Sequence, residues 1–69
     1  MTRHTIVVNG ETKEIKATMT VAELVSLFSP TSKGIAVAID RTVIPRSQWS
    51  TTTPPAHAQV EIVSAAAGG

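Results

Sequence analysis

The chain contains no cysteine. Disulfides, thiolate nucleophiles and cysteine-based metal sites are therefore excluded, and the composition suits a reducing compartment. An excess of charge is also missing. Six basic and five acidic side chains leave a formal net charge of +1, which gives no electrostatic footing for nucleic acid or an anionic membrane. No apolar run approaches the roughly 18 residues needed to span a bilayer. The first residues, Met1-Thr2-Arg3-His4, lead straight into a strand pattern without signal-peptide anatomy. The expectation is a cytoplasmic protein with no nucleic-acid or membrane partner. Catalytic groups are scarce as well. His4 and His57 are the only histidines and lie far apart in sequence. No pair of carboxylates has motif spacing, and the serines and threonines lack an evident base to activate them. No glycine-rich phosphate loop is present. The chain reads as a non-enzyme with no bound cofactor or metal.

What is present fits one small domain. At 69 residues the chain is near the lower limit for independent folding. Thr5-Ile6-Val7-Val8 is rich in β-branched residues and reads as a strand. Asn9-Gly10 follows, a hairpin signal, because a type I′ turn needs positive φ at both central residues. Thr12 to Ala17 is the expected returning strand. Thr20 then opens a helix, and Glu23 three residues on completes capping-box spacing. Val21, Leu24, Val25 and Phe28 form one apolar stripe at helical spacing. The helix should end before Ser29-Pro30, since the residue before proline avoids the α region. Gly34 closes the next loop.

Ile35-Ala36-Val37-Ala38-Ile39 alternates large and small, a strand with one bulky face and one thin face. Asp40-Arg41-Thr42 turns, Val43-Ile44 begins a short strand, and Pro45 cuts it off. Arg46 to Trp49 reads as a single helical turn, and Ser50 to Pro55 as a Thr/Pro loop. Gln59 to Ser64 is the last strand. Five strands and one helix belong to an α+β class, a mixed sheet with a helix packed across one face. This is the β-grasp arrangement, with the first and last strands central and parallel. The domain spans residues 1–64 and leaves 65–69 as a flexible tail.

That tail, Ala65-Ala66-Ala67-Gly68-Gly69, carries the functional signal. A terminal Gly-Gly arises by chance in roughly 1 chain in 200. Without Cβ atoms such a backbone can thread a narrow channel and adopt angles closed to other residues. Six residues from Ser64 to Gly69, if extended, reach roughly 20 Å at about 3.3–3.6 Å each. A carboxylate on that tail could enter another protein's active site while the body docks outside. The rival reading is a frayed chain end.

Several segments together resemble the ThiS family of sulfur carriers. They are Gly34 to Asp40, then Val43-Ile44-Pro45-Arg46-Ser47-Gln48-Trp49, then Val60-Glu61-Ile62-Val63, then Gly68-Gly69. The helix start Thr20-Val21-Ala22-Glu23-Leu24 is also similar, so the likeness covers nearly the whole chain. It implies the ubiquitin-like β-grasp fold and a role as substrate rather than catalyst. An α-carboxyl has a pKa near 3.5, so it is ionised at neutral pH and is a poor electrophile until activated. The resemblance implies the route. A ThiF-type, E1-like enzyme uses ATP to adenylate Gly69, a sulfur donor protein displaces AMP, and the resulting thiocarboxylate supplies sulfur to a ThiG-type thiazole synthase in thiamine biosynthesis. Gly68, Ala67 and Ala66 then serve as the inserted tail. Related carriers for molybdopterin, cysteine or secondary-metabolite synthesis share fold and tail, so those pathways stay open, as does a β-grasp interaction module with an inert tail.

Candidates for docking a partner are Arg46, Trp49, Val60 and Ile62. Trp49 has a competing role, anchoring the loop after Pro45 to the core, and Arg46 is otherwise a solvated cation. Val60 and Ile62 point to one side of the last strand, Glu61 and Val63 to the other. A helix covers one face, so apolar residues on the other meet solvent or a partner. One departure from the family stands out: an acidic-Gly-Asp turn normally precedes the last strand, and here that place reads Ala56-His57-Ala58.

Overall fold

A computed structural model describes residues 2–29 and 33–64. The strand order is β2-β1-β5-β3-β4. Strands β1 (Arg3–Val8) and β2 (Glu11–Lys16) form an antiparallel hairpin. Asn9 and Gly10 have φ of 51° and 85°, so both central turn residues are left-handed as the Asn-Gly pair requires. This two-residue turn places Glu11 opposite Val8. The returning strand therefore begins and ends one residue earlier than expected.

Helix α1 (Val21–Phe28) crosses one face of the sheet, burying Val21, Leu24 and Val25. Its first four amide groups are fully accounted for, which buried helix ends require. The Val21 amide donates to the Thr52 carbonyl at 2.8 Å and the Ala22 amide to the Trp49 carbonyl at 3.1 Å. The Glu23 amide donates to Thr20 Oγ1 at 3.2 Å, and the Leu24 amide to the Thr20 carbonyl at 2.9 Å. Glu23 Oε1 accepts in return from the Thr20 amide at 2.9 Å, completing the capping box. Two of these four bonds come from a loop about thirty residues further along the chain. The helix ends at Phe28, and Ser29 is already extended (φ −148°, ψ 140°), as a residue before proline should be. Phe28, the last member of the apolar stripe, is not buried. Its ring lies at the helix end with Lys13 Nζ 5.9 Å from its centroid.

Strands β3 (Ile35–Ile39) and β4 (Thr42–Val43) form a second hairpin. Asp40 and Arg41 both have positive φ (50° and 70°), so the loop is two residues and Thr42 pairs with Ile39. The short strand thus starts at Thr42, one residue before the expected start. Val37 and Ile39 turn their bulk to the helix, while Ala36 is exposed. A 3₁₀ turn (Arg46–Gln48) follows Pro45. Strand β5 (Gln59–Ser64) lies between β1 and β3, parallel to β1 and antiparallel to β3. The core is the layer between helix and sheet, built from Ile6, Val8, Val37, Val60 and the helix stripe, with Trp49 closing one end.

Candidate functional site

Gly69, Gly68, Ala67 and Ala66, the residues expected to carry and present the reactive carboxyl, lie outside the described residues. What the structure defines is the base from which they depart. Ser64 ends β5 and pairs with Ile35 at the start of β3. The departure point therefore sits at one end of the central strand pair. Near it, Phe28, Ser29, Ile35, Ile62, Val63 and Ser64 line a depression of about 190 Å³.

Two docking candidates belong to the core instead. Val60 is 1% exposed and Ile62 is 7% exposed, both beneath the helix. The strand period places Glu61 and Val63 on the opposite, open face. There Val63 is 55% exposed and Val43 is 69% exposed. With Ala36, Ala38 and Glu61 they line a shallow depression of about 170 Å³. Register explains the neighbours: Ala36 pairs with Val63, and Ala38 pairs with both Glu61 and Val43. The apolar docking candidates are thus Val63 and Val43, not Val60 and Ile62.

Trp49 is likewise a structural anchor rather than an exposed contact. It is 5% exposed, and its indole Nε1 donates to the Ile44 carbonyl at 2.9 Å. Arg46 stands outside it, with the guanidinium carbon 5.7 Å from the ring centroid. Arg46 is the one residue of the four docking candidates that is exposed.

Ala56-His57-Ala58 still makes a turn. The Ala58 amide donates to the Pro55 carbonyl at 3.1 Å, and His57 takes φ of 67°. The third position of such a turn favours glycine, because a side chain there crowds the backbone. The missing glycine is thus felt as local strain rather than as lost geometry, since the His57 amide also donates to the Thr5 carbonyl at 2.6 Å. A His57→Gly variant is expected to be more stable by about 0.5–1 kcal/mol, read from urea denaturation. Unchanged or lower stability would show that the His57 conformation carries no strain. The other histidine, His4, places Nδ1 3.3 Å from the Pro54 carbonyl. Among the described residues no group of three or more His, Asp or Glu side chains is arranged to hold a metal ion, and no helix is long and apolar enough to cross a membrane.

One residue of consequence escaped the sequence reading. Asn9 was legible only as a turn former. Its carboxamide reaches across to β5, where Oδ1 accepts from the Ile62 amide at 2.9 Å and Nδ2 donates to the Ile62 carbonyl at 3.0 Å. No local signal announces a contact between residues so distant in the chain.

A mixed sheet in this order, one helix across it, and a central C-terminal strand define a β-grasp protein. The sequence model of the ThiS family matches residues 6–69, and the chain belongs to that family. ThiS proteins are small sulfur carriers of thiamine biosynthesis that work with sulfur-transfer partners and are not themselves catalysts. The fold is shared with the crystal structure of a thiamine biosynthesis protein (ThiS) from Geobacter metallireducens. That protein is 24% identical, with a TM-score of 0.74 over 87% of this chain and 91% of the other. No curated protein matches the chain.

Proposed function

We propose that the carboxyl of Gly69 is the sulfur-bearing group of this carrier. A carboxylate oxygen of Gly69 attacks the α-phosphorus of ATP on a ThiF-type, E1-like enzyme, and pyrophosphate leaves. A sulfide-level nucleophile from a sulfur donor protein then attacks the acyl carbon, and AMP leaves. The thiocarboxylate delivers its sulfur to a ThiG-type thiazole synthase. ATP belongs to the activating enzyme, and the carrier holds no cofactor of its own. The observation that carries this reading is the family match running through residue 69, where the chain reads Gly68-Gly69.

The open sheet face is the docking surface in this proposal, with the activating enzyme as its occupant. Val63 lies on that face and is separated from Gly69 by the five residues Ser64-Ala65-Ala66-Ala67-Gly68. An enzyme that grips the tail is thereby brought near Val63 and its neighbour across the strands, Ala36. Apolar side chains exposed beside a gripped peptide gain from being covered. Arg46 lies outside that patch, stacked on the buried Trp49.

Intact-mass analysis tests the reading. With a ThiF-type enzyme, ATP and a sulfur donor, the protein should gain the mass difference of one oxygen replaced by sulfur. An unchanged mass, where a control carrier is converted, overturns it. In the same assay Val63→Asp should lower the conversion rate at least about tenfold, because docking would bury an unpaired carboxylate. Wild-type conversion by that variant would remove the open face from the proposal.

A further inference from the structure

We infer that Asn9 is a positioning residue for the C-terminal strand: its carboxamide takes the place of the missing backbone rung between β1 and β5 and so holds β5 at Ile62, just before the chain leaves the body. This rests on the carrier reading above for its functional meaning, though not for its geometry.

The geometry follows from how β1 ends. Only two residue pairs, Val7 with Gln59 and Val8 with Val60, register the parallel strands β1 and β5. The ladder runs through the Val7 amide, which donates to the Ala58 carbonyl at 3.0 Å, and the Asn9 amide, which donates to the Val60 carbonyl at 2.9 Å. In a regular parallel ladder the Ile62 amide would next donate to the backbone carbonyl of residue 9. Asn9 has instead turned left-handed into the hairpin, with φ of 51°. Its side chain supplies what its main chain has withdrawn. A carboxamide carries both an acceptor and donors, as a peptide group does. Oδ1 takes the Ile62 amide and Nδ2 serves the Ile62 carbonyl. Few residue types can do both tasks. Asparagine tolerates the left-handed turn better than most side chains and also presents a peptide-like group.

The consequence lies downstream. Beyond Ile62, β5 keeps β3 as its ladder partner, through Val63 with Ala36 and Ser64 with Ile35. Without the carboxamide the β1 side of the strand would end at Val60. The last residues could then lift as a strand held along one edge, and the root of the tail would lose its fixed direction. A partner that draws the terminus into a narrow channel gains when that direction is preset, because ordering the root at the moment of docking costs affinity.

Asn9→Gly separates this role from turn formation. Glycine adopts positive φ at least as readily as asparagine, so a residue needed only for the turn would be replaced without harm. The expected result is that amide-exchange protection at Ile62 falls about tenfold, while protection of the β1–β2 hairpin is kept. Asn9→Asp adds a rescue. At neutral pH the introduced carboxylate still accepts from the Ile62 amide but faces the Ile62 carbonyl without a donor, so Ile62 protection should fall by less than in Asn9→Gly. At a pH low enough to protonate it, the carboxylic acid regains a donor, and protection normalised for the intrinsic exchange rate should recover. In the thiocarboxylation assay Asn9→Gly should raise KM by roughly threefold to tenfold with kcat little changed. Wild-type protection of Ile62 in Asn9→Gly overturns the inference. Lost protection with unchanged KM overturns the positioning role. If wild-type protein is never converted, it is the carrier reading that fails, while the exchange data still judge the Asn9 contact.

Discussion

Removal of Gly69 is expected to abolish conversion to the thiocarboxylate while leaving thermal stability unchanged. The argument is one of reach. Losing one residue withdraws the carboxyl by up to about 3.3–3.6 Å. Activation needs the carboxylate in line with the phosphorus it attacks, and a displacement of about 1 Å can cost on the order of 100-fold in rate. The shortened chain should therefore convert at least about 100-fold more slowly. Adding one residue after Gly69 should fail to a similar degree, because it pushes the carboxyl past the site and brings a side chain into a space suited to glycine. Stability should not follow. Ile62 is the last residue in the buried core of the described structure, and the last registered pair is Ile35 with Ser64. Intact mass reads the conversion and circular dichroism reads the melt. Wild-type conversion of the shortened chain would dismiss Gly69 as the reactive residue.

Trp49→Ala carries the largest expected loss of stability, about 3–5 kcal/mol. Three contributions meet at this residue. Its ring fills one end of the core, its Nε1 satisfies the Ile44 carbonyl, and its own carbonyl caps the Ala22 amide at the start of the helix. Truncation opens a cavity and leaves the Ile44 carbonyl without its indole donor. It also loosens the loop whose Thr52 and Trp49 carbonyls cap the helix. A domain of this size has a total stability on the order of 3–10 kcal/mol, so the variant should be largely unfolded at 37 °C. Two further variants divide the effect. Trp49→Phe keeps most of the packing and loses the donor, so it should cost about 1–3 kcal/mol. Arg46→Ala removes the cation stacked on the ring and should cost about 0.5–1 kcal/mol. Urea denaturation followed by far-ultraviolet circular dichroism measures all three. A Trp49→Ala midpoint equal to wild type would return Trp49 to the list of partner contacts.

The legible parts of the fold were those with local causes. Asn9-Gly10 specified a two-residue hairpin because both residues tolerate positive φ. Thr20 and Glu23 specified a helix start because their side chains meet the amides within one turn. Pro30 ended the helix by steric exclusion acting on Ser29. Strand β5 was legible at both ends, from Gln59 to Ser64. Strands β2 and β4 were displaced by one residue, because a two-residue loop fixes which pair flanks it. That pairing is a property of two strands together.

The open face was less legible. Alternation separates Val60 and Ile62 from Glu61 and Val63, but it cannot say which side the helix covers. That is decided when β1, β3 and β5 come together and Ile6, Val8, Val37 and Ile39 share one side with Val60 and Ile62. The same limit applies to Trp49, whose donor is answered only once the chain after Pro45 folds back.

By itself, the sequence determined the five strands, the capped helix and the Gly68-Gly69 ending, because each depends on backbone preferences or side chains within a few residues. Only the tertiary structure decided which face of β5 is buried, what the first two helix amides bond to, and that the Asn9 carboxamide grips Ile62. These join residues far apart in the chain. They come within the roughly 3 Å of a hydrogen bond only after the sheet has closed around the core.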